Sequence, residues 1–186
     1  MQNQTSIFTT GSTFLRVLLL GTIMLGWSAS APTPTLAQNQ TRVDFIWVVL
    51  QTDSAPNAGT NSDIQILFKQ THGPSGPRII IRNFVNRPWD ENEAGRTETY
   101  TPRLEELQTN GAYMTVADFQ NKSDICFQIL GSDAWLLNSV WIIGRSGDNF
   151  MLLNSAIWPQ NAWLSTKSSE GLNARNLYGQ KCALTN

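Results

Sequence analysis

Histidine is almost absent from this sequence, since His72 is the single one among 186 residues. His72 lies in the segment THGPSGP, whose glycines and prolines predict a loop. A Ser-His-Asp triad would depend on this one imidazole, and the sequence has no G-x-S-x-G turn to accompany it. Zinc-protease, P-loop and dinucleotide-binding motifs are also missing. Carboxylates are numerous, but nothing singles out a glycosidase-like pair. We therefore predict a protein without catalytic activity.

The chain also lacks an excess of positive charge. Lys and Arg number 13 and Asp and Glu number 14, which gives a formal net charge of −1. Contacts with phosphate groups need clustered Lys and Arg, and no basic cluster stands out. We therefore predict no nucleic-acid partner and no purely electrostatic attachment to anionic membranes.

Long apolar runs are missing as well. The run VLLLGTIMLGW, residues 17–27, is shorter than the about 20 residues of a good transmembrane helix. Arg16 precedes it and small residues follow it, which is typical of a secretory signal peptide. We predict residues 1–37 as the leader, with cleavage after Ala37 or, alternatively, after Ala31. An uncleaved membrane anchor is the competing interpretation. Residues 38–186 would then form one secreted, periplasmic or cell-surface domain.

Cysteine is scarce, with Cys126 and Cys182 as the two examples. In a secreted chain an even pair indicates a disulfide, which here would tie the C-terminal tail to a mid-chain strand. Two buried free thiols are the alternative. Because the two cysteines are isolated, a CxxC metal site is excluded.

Alternating apolar residues, by contrast, are frequent, and turn-forming residues separate them. This pattern predicts short strands packed as an all-β sandwich or barrel. Trp47 and Trp141 lie inside such strands and are predicted to pack. One short helix is expected between Thr101 and Gly111. The predicted strands cover residues 43–51, 63–69, 78–82, 112–118, 124–130, 136–144 and 149–154.

Two segments are rich in side-chain oxygen. The first is TDSAPNAGTNSDIQI, residues 52–66, and the second is PWDENEAGRTETY, residues 88–100. Calcium takes six to eight oxygen ligands from carboxylates, amides, backbone carbonyls and water. The pair of segments is therefore compatible with a calcium site formed by two loops. Two solvated turns, whose polar side chains bond their own backbones, are the alternative.

Four short segments follow one another along the chain in a recognisable order. They are GTNSDI at 59–64, EAGRTETY at 93–100, DAW at 133–135 with Val140, and AWL at 162–164 with Glu170 and Gly171. In this order they resemble the motifs of the PLAT domain, the polycystin–lipoxygenase–alpha-toxin module. The resemblance extends from about Val43 to Tyr178. The Asp and Asn of the first family motif are exchanged here, and Asn92, Glu98 and Ala162 replace the usual residues of later motifs.

The resemblance implies an antiparallel β-sandwich of two four-stranded sheets that binds membranes or proteins, often with calcium. Trp89, in the second oxygen-rich segment, is a candidate membrane or partner contact, with packing as the alternative. We expect a non-catalytic secreted binding module, or else a structural cell-envelope or matrix protein without a metal site. The family's calcium positions correspond here to Gly59, Thr60, Asn61, Asp63 and Glu93.

Overall fold

A computed structural model describes residues 40–73, 76–84, 92–102, 104 and 112–184. These residues belong to one compact unit, Pro34–Asn186. The strands in it are β1 (Arg42–Val43), β2 (Phe45–Thr52), β3 (Ile64–Gln70), β4 (Arg78–Phe84), β5 (Thr97–Tyr100), β6 (Met114–Thr115), β7 (Ile125–Ile129), β8 (Leu137–Ser146), β9 (Asn149–Ile157) and β10 (Ala174–Asn176). A helix, α1 (Val116–Gln120), and a 3-10 turn (Lys122–Asp124) precede β7.

The strands form two antiparallel four-stranded sheets, as the family resemblance implies. The first sheet has the order β5-β2-β8-β9 and the second the order β10-β7-β3-β4. A small pair, β1 with β6, lies apart from both sheets in the strand pairing. The prediction of an all-β sandwich is therefore confirmed.

Alternation along the strands produces the core between the two sheets. Ile46 and Val48 of β2 are fully buried, and Ile64 and Ile66 of β3 are buried in the same cluster. Successive side chains of a strand point to opposite faces, so every second residue reaches this core. Burying one such aliphatic side chain contributes roughly 1.5–3 kcal/mol. The core thus follows from the period-two pattern of the sequence.

The C-terminal segment covers the outer face of the second sheet. β10 pairs with β7, and Cys182 forms a disulfide with Cys126 of β7, which confirms the predicted bond. Leu67, Ala174 and the two half-cystines make a small buried cluster on this face. A tail with few strand residues is held in place by the disulfide and by this cluster.

One predicted strand is mostly wrong. Within residues 112–118, β6 is two residues long, and α1 then begins at Val116. Thr115 is the N-cap residue, and its backbone N–H donates to Asp118 Oδ2 at 2.7 Å. This reciprocal capping arrangement favours a helix start over a continued strand. β5 and β10 were missed because their sequences, TETY and ARN, are short and mostly polar.

Three other predictions concern residues that the structure does not describe. They are the signal peptide at residues 1–37, the contact residue Trp89, and most of the helix between Thr101 and Gly111. Pro102 and Leu104 are described, and both are buried. Among the described residues, no helix has the length and apolarity needed to cross a membrane.

Candidate functional site

Three connections meet at one end of the sandwich, which we call the loop end. They are the β2–β3 loop (residues 53–63), the chain entering β5 (92–96) and the β7–β8 loop (130–136). Thr60 N donates to Asn92 O at 3.2 Å, and Gly95 N donates to Asp53 O at 2.9 Å. These backbone bonds hold the described parts of the two oxygen-rich segments side by side, as the hypothesis of a site formed by two loops requires.

A cavity of about 260 Å³ lies among these loops. It brings together four of the five residues predicted as calcium ligands. Asp63 does not line it, and the backbone carbonyl of Asp63 accepts from Leu130 N at 2.9 Å. The lining residues are Asn57, Gly59, Thr60, Asn61, Glu93, Ala94 and Asp133.

Asp133 is a site residue that sequence reasoning missed. Its Oδ2 accepts from Asn61 N at 3.0 Å, and its Oδ1 accepts from Ala134 N at 2.9 Å. Ser62 Oγ accepts from the backbone N–H of Asp133 at 3.3 Å, so the β7–β8 loop is bonded directly to the β2–β3 loop. Asp133 is the first residue of the DAW segment, but that segment was interpreted as a strand motif and not as part of the calcium site. The 72-residue separation from Asn61 hid the contact.

The chemistry of the cavity fits a hard divalent cation. It offers the carboxylates of Glu93 and Asp133, the amides of Asn57 and Asn61, and backbone carbonyls of the loops. Oxygen ligands of these types are the ones that calcium prefers. The described residues contain no group of three Asp, Glu, His or Cys side chains that could hold a metal. The lining contains two acidic residues, Glu93 and Asp133, whose charges together would balance that of a divalent cation.

A second cavity of about 450 Å³ adjoins the first and shares Asn57 and Asp133 with it. Trp163, Lys167 and Glu170 line its far side. Hydrogen bonds from Lys167 and then from Ser165 lower the pKa of Glu170 below its usual value. Glu170 is thus held as a carboxylate beside Lys167.

His72 lies apart from both cavities. Its ring stacks on Tyr113 with centroids 5.3 Å apart, and Nδ1 is 3.7 Å from Asp118 Oδ2. Asp118 is buried and accepts from Thr71 N at 2.8 Å and from Thr115 N at 2.7 Å. These contacts anchor the end of β3 to the start of α1, which gives the His72–Asp118 pair a structural task.

Gly59→Ala is expected to disturb the loop end. A Cβ at this position would lie 2.9 Å from Asn92 O and 3.1 Å from Ala94 N, both of them backbone atoms. Crowding of this kind costs roughly 1–3 kcal/mol, because the two loops must move apart. Thermal unfolding measures the loss of stability. Gly73→Ala, whose Cβ would come no nearer than 3.3 Å, to the Ala112 side chain, is the milder control, and an equal effect of the two changes would contradict the argument.

Comparisons with known proteins show the fold. No protein-family model matches the chain, and no curated protein matches its sequence. The structure is similar to that of alpha toxin from Clostridium absonum, with a TM-score of 0.51 and 16% identity. The match covers 74% of this chain and 32% of the toxin, so the chain corresponds to about a third of that protein. At this level of identity the likeness shows a shared fold, in agreement with the β-sandwich described above.

Proposed function

We propose that this protein is a non-catalytic binding module that attaches to a phospholipid surface and holds calcium at its loop end. The observation that carries the proposal is the convergence of Asn61, Glu93 and Asp133 on one cavity, from three separate loops. The likeness to alpha toxin and the PLAT-type motifs support a module of this kind. The Cys126–Cys182 disulfide supports a location outside the reducing cytosol.

Glu93 and Asp133 would supply the negative charge of the calcium site. Asn57 and Asn61 would add side-chain oxygens, and Gly59 and Thr60 would add backbone carbonyls. Bound calcium would supply positive charge at the loop end. The residues themselves hold the three loops together: Asp133 is bonded to the N–H of Asn61, and Thr60 to the backbone of Asn92. A cation shared by Glu93 and Asp133 would strengthen the same junction.

Calcium is expected to raise the melting temperature of the wild-type protein. At a calcium concentration ten times Kd, mass action adds about 1.4 kcal/mol to stability. For a domain of this size that corresponds to a shift of roughly 3–6 °C. Asp133→Asn removes one of the two carboxylates and should abolish most of the shift. Differential scanning calorimetry with calcium, with magnesium and with a chelator measures it.

Two further variants control this experiment. Asp148→Asn changes the net charge equally, but Asp148 lies in the β8–β9 turn, at the opposite end of the first sheet. It should leave the calcium response intact. Asp63→Asn tests Asp63 itself, which the family resemblance implies as a calcium ligand but which does not line the cavity. Equal calcium shifts in the wild type and in Asp133→Asn would rule out the site.

A structural interaction protein without a metal site is the second candidate. The shortage of acidic groups favours it, because the described residues provide no cluster of three possible metal-binding side chains. In that case calcium leaves the melting temperature unchanged. Co-sedimentation with phospholipid vesicles separates the two candidates independently, since the second one predicts that the protein stays in the supernatant.

A further inference from the structure

The outer face of the first sheet carries a field of apolar side chains. Directly paired residues of neighbouring strands share a face, and Trp47, Ile143 and Leu152 form one such row across β2, β8 and β9. Phe45 and Phe150 flank Arg145 in the next row. We call this surface the aromatic face, and its residues are Phe45, Trp47, Val49, Trp141, Ile143, Phe150 and Leu152.

The rings of the aromatic face contact one another, and the part of the face on β9 is open to solvent. The Phe45 and Trp47 centroids are 4.5 Å apart, and those of Trp47 and Phe150 are 5.6 Å apart. Phe150 is 65% exposed and Leu152 is 60% exposed. The sequence of β2 predicts a strand covered on both sides, whereas its outward side chains Phe45, Trp47 and Val49 are half-buried. The largest contiguous apolar patch of a monomeric protein is often functional.

The aromatic rings lie towards one end of the strands. The rows nearest the β8–β9 turn carry Phe45, Trp47 and Phe150, whereas the row nearest the loop end pairs Gln51 and Ser139 with the exposed Ile157. About seven residues of β2 separate Phe45 from Thr52, or roughly 23 Å at 3.3 Å per residue. The Phe45 end of the aromatic face is therefore remote from the candidate calcium cavity. A ligand of this face would meet different residues from a ligand of the loops.

Charge at the rim of the face indicates what covers it. The guanidinium carbon of Arg145 lies 5.6 Å from the centre of the Phe45 ring, at the apolar end of the sheet. Asp44, which lies between β1 and β2, pairs with Arg42 at 3.4 Å and accepts from Gly147 N at 3.0 Å. Arg145 is exposed and is thus available to an external anion. Apolar rings edged by an arginine suit the boundary between acyl chains and phosphate headgroups.

The size of the face argues against a stable dimer. Three strands about 4.8 Å apart and three rows about 6.8 Å apart span on the order of 250 Å² in projection. A stable protein–protein interface buries about 800 Å² on each partner. A small apolar surface of this kind is better suited to shallow insertion into a bilayer, where the acyl chains provide an apolar environment.

We propose that the aromatic face is the surface that enters a phospholipid layer, with Arg145 binding headgroup phosphate. The inference rests on the proposed function, since it locates the lipid contact of that module. It places the contact on the sheet, away from the calcium loops, and so makes attachment independent of calcium.

Vesicle co-sedimentation tests the proposal with two matched variants. The double variant Phe150→Ser/Leu152→Ser removes exposed apolar side chains inside the face. Ile81→Ser removes one that is 48% exposed on β4, in the second sheet. With vesicles of phosphatidylcholine and phosphatidylglycerol in a chelator, the double variant should bind at least ten-fold more weakly than the wild type. Ile81→Ser should bind like the wild type, and Arg145→Gln should lose affinity mainly for vesicles that contain phosphatidylglycerol.

Tryptophan fluorescence gives a second measurement that does not require the serine variant to fold. Phosphatidylcholine brominated on the acyl chains should quench the wild-type emission, and Trp47→Phe/Trp141→Phe should lose the quenching while still sedimenting with vesicles. Equal binding of the wild type and the double variant would overturn the inference. Binding that needs calcium and is lost in Asp133→Asn alone would also overturn it, while leaving the proposed function intact. If the wild-type protein binds no vesicles, or only dimerises through this face, both the inference and the proposed function are wrong.

Discussion

A Cys126→Ala/Cys182→Ala variant is expected to lose about 4 kcal/mol of unfolding free energy. The disulfide closes a loop with a sequence separation of 56 residues, and constraining a loop of this length in the unfolded chain contributes about that amount. The bond also keeps the C-terminal segment on the second sheet, where Leu67 and Ala174 are buried beside it. We expect the melting temperature to fall by roughly 10 °C.

Chemical denaturation with urea measures this loss, and the wild-type protein in a reducing agent is the matched comparison. Both should show the same lower midpoint, because each removes the covalent link. Hydrogen exchange should also accelerate in β10, since its pairing with β7 flanks the bond. A loss below about 1 kcal/mol would mean that strand pairing alone holds the tail.

Trp135→Ala is expected to cost about 3–5 kcal/mol, the range for removing a buried aromatic side chain. Trp135 is fully buried and meets the Phe127 ring edge-on, with centroids 6.5 Å apart. Its Nε1 donates to Thr52 Oγ1 at 3.1 Å, at the end of β2 where the loop end begins. The substitution leaves a cavity and removes the indole donor from Thr52 Oγ1, which itself donates to Asn92 O at 3.4 Å, so the loop end should loosen as well.

Trp135→Phe is the control, because it keeps much of the volume and removes the indole N–H. It should cost about 1–2 kcal/mol, as expected for one buried hydrogen bond and a partial cavity. Calorimetry of both variants, with and without calcium, also shows whether the core supports the cation site. Equal losses for Ala and Phe would contradict the packing argument, since the hydrogen bond alone would then account for the effect.

Much of the sandwich was predictable because apolar side chains recur at every second residue along its strands. β2, β3, β7, β8 and β9 were found within a few residues of their ends, and turn residues separated them. The failure at residues 112–118 has a local cause. Thr115 and Asp118 form a capping box, whose signal competes with the apolar alternation of the same segment.

The candidate site was predictable in part. Gly59, Thr60, Asn61 and Glu93 line one cavity, as the two-loop interpretation requires. Asp133 was missed because 72 residues separate it from Asn61, and Asp63 lies outside the lining, where its backbone carbonyl accepts from Leu130 N. The calcium ligation itself remains a prediction.

By itself the sequence determined the all-β class and the alternating core, since both follow from local periodicity. It also indicated that the two cysteines pair, although two buried free thiols were compatible with the same count. Tertiary structure alone decided two things. One is that Asp133 meets Asn61 across 72 residues, and the other is that the outward residues of β2 are half-buried on the same sheet face as the exposed Phe150 and Leu152. Both depend on which chain segments lie opposite one another. An apolar strand residue looks the same in sequence whether a second layer covers it or not.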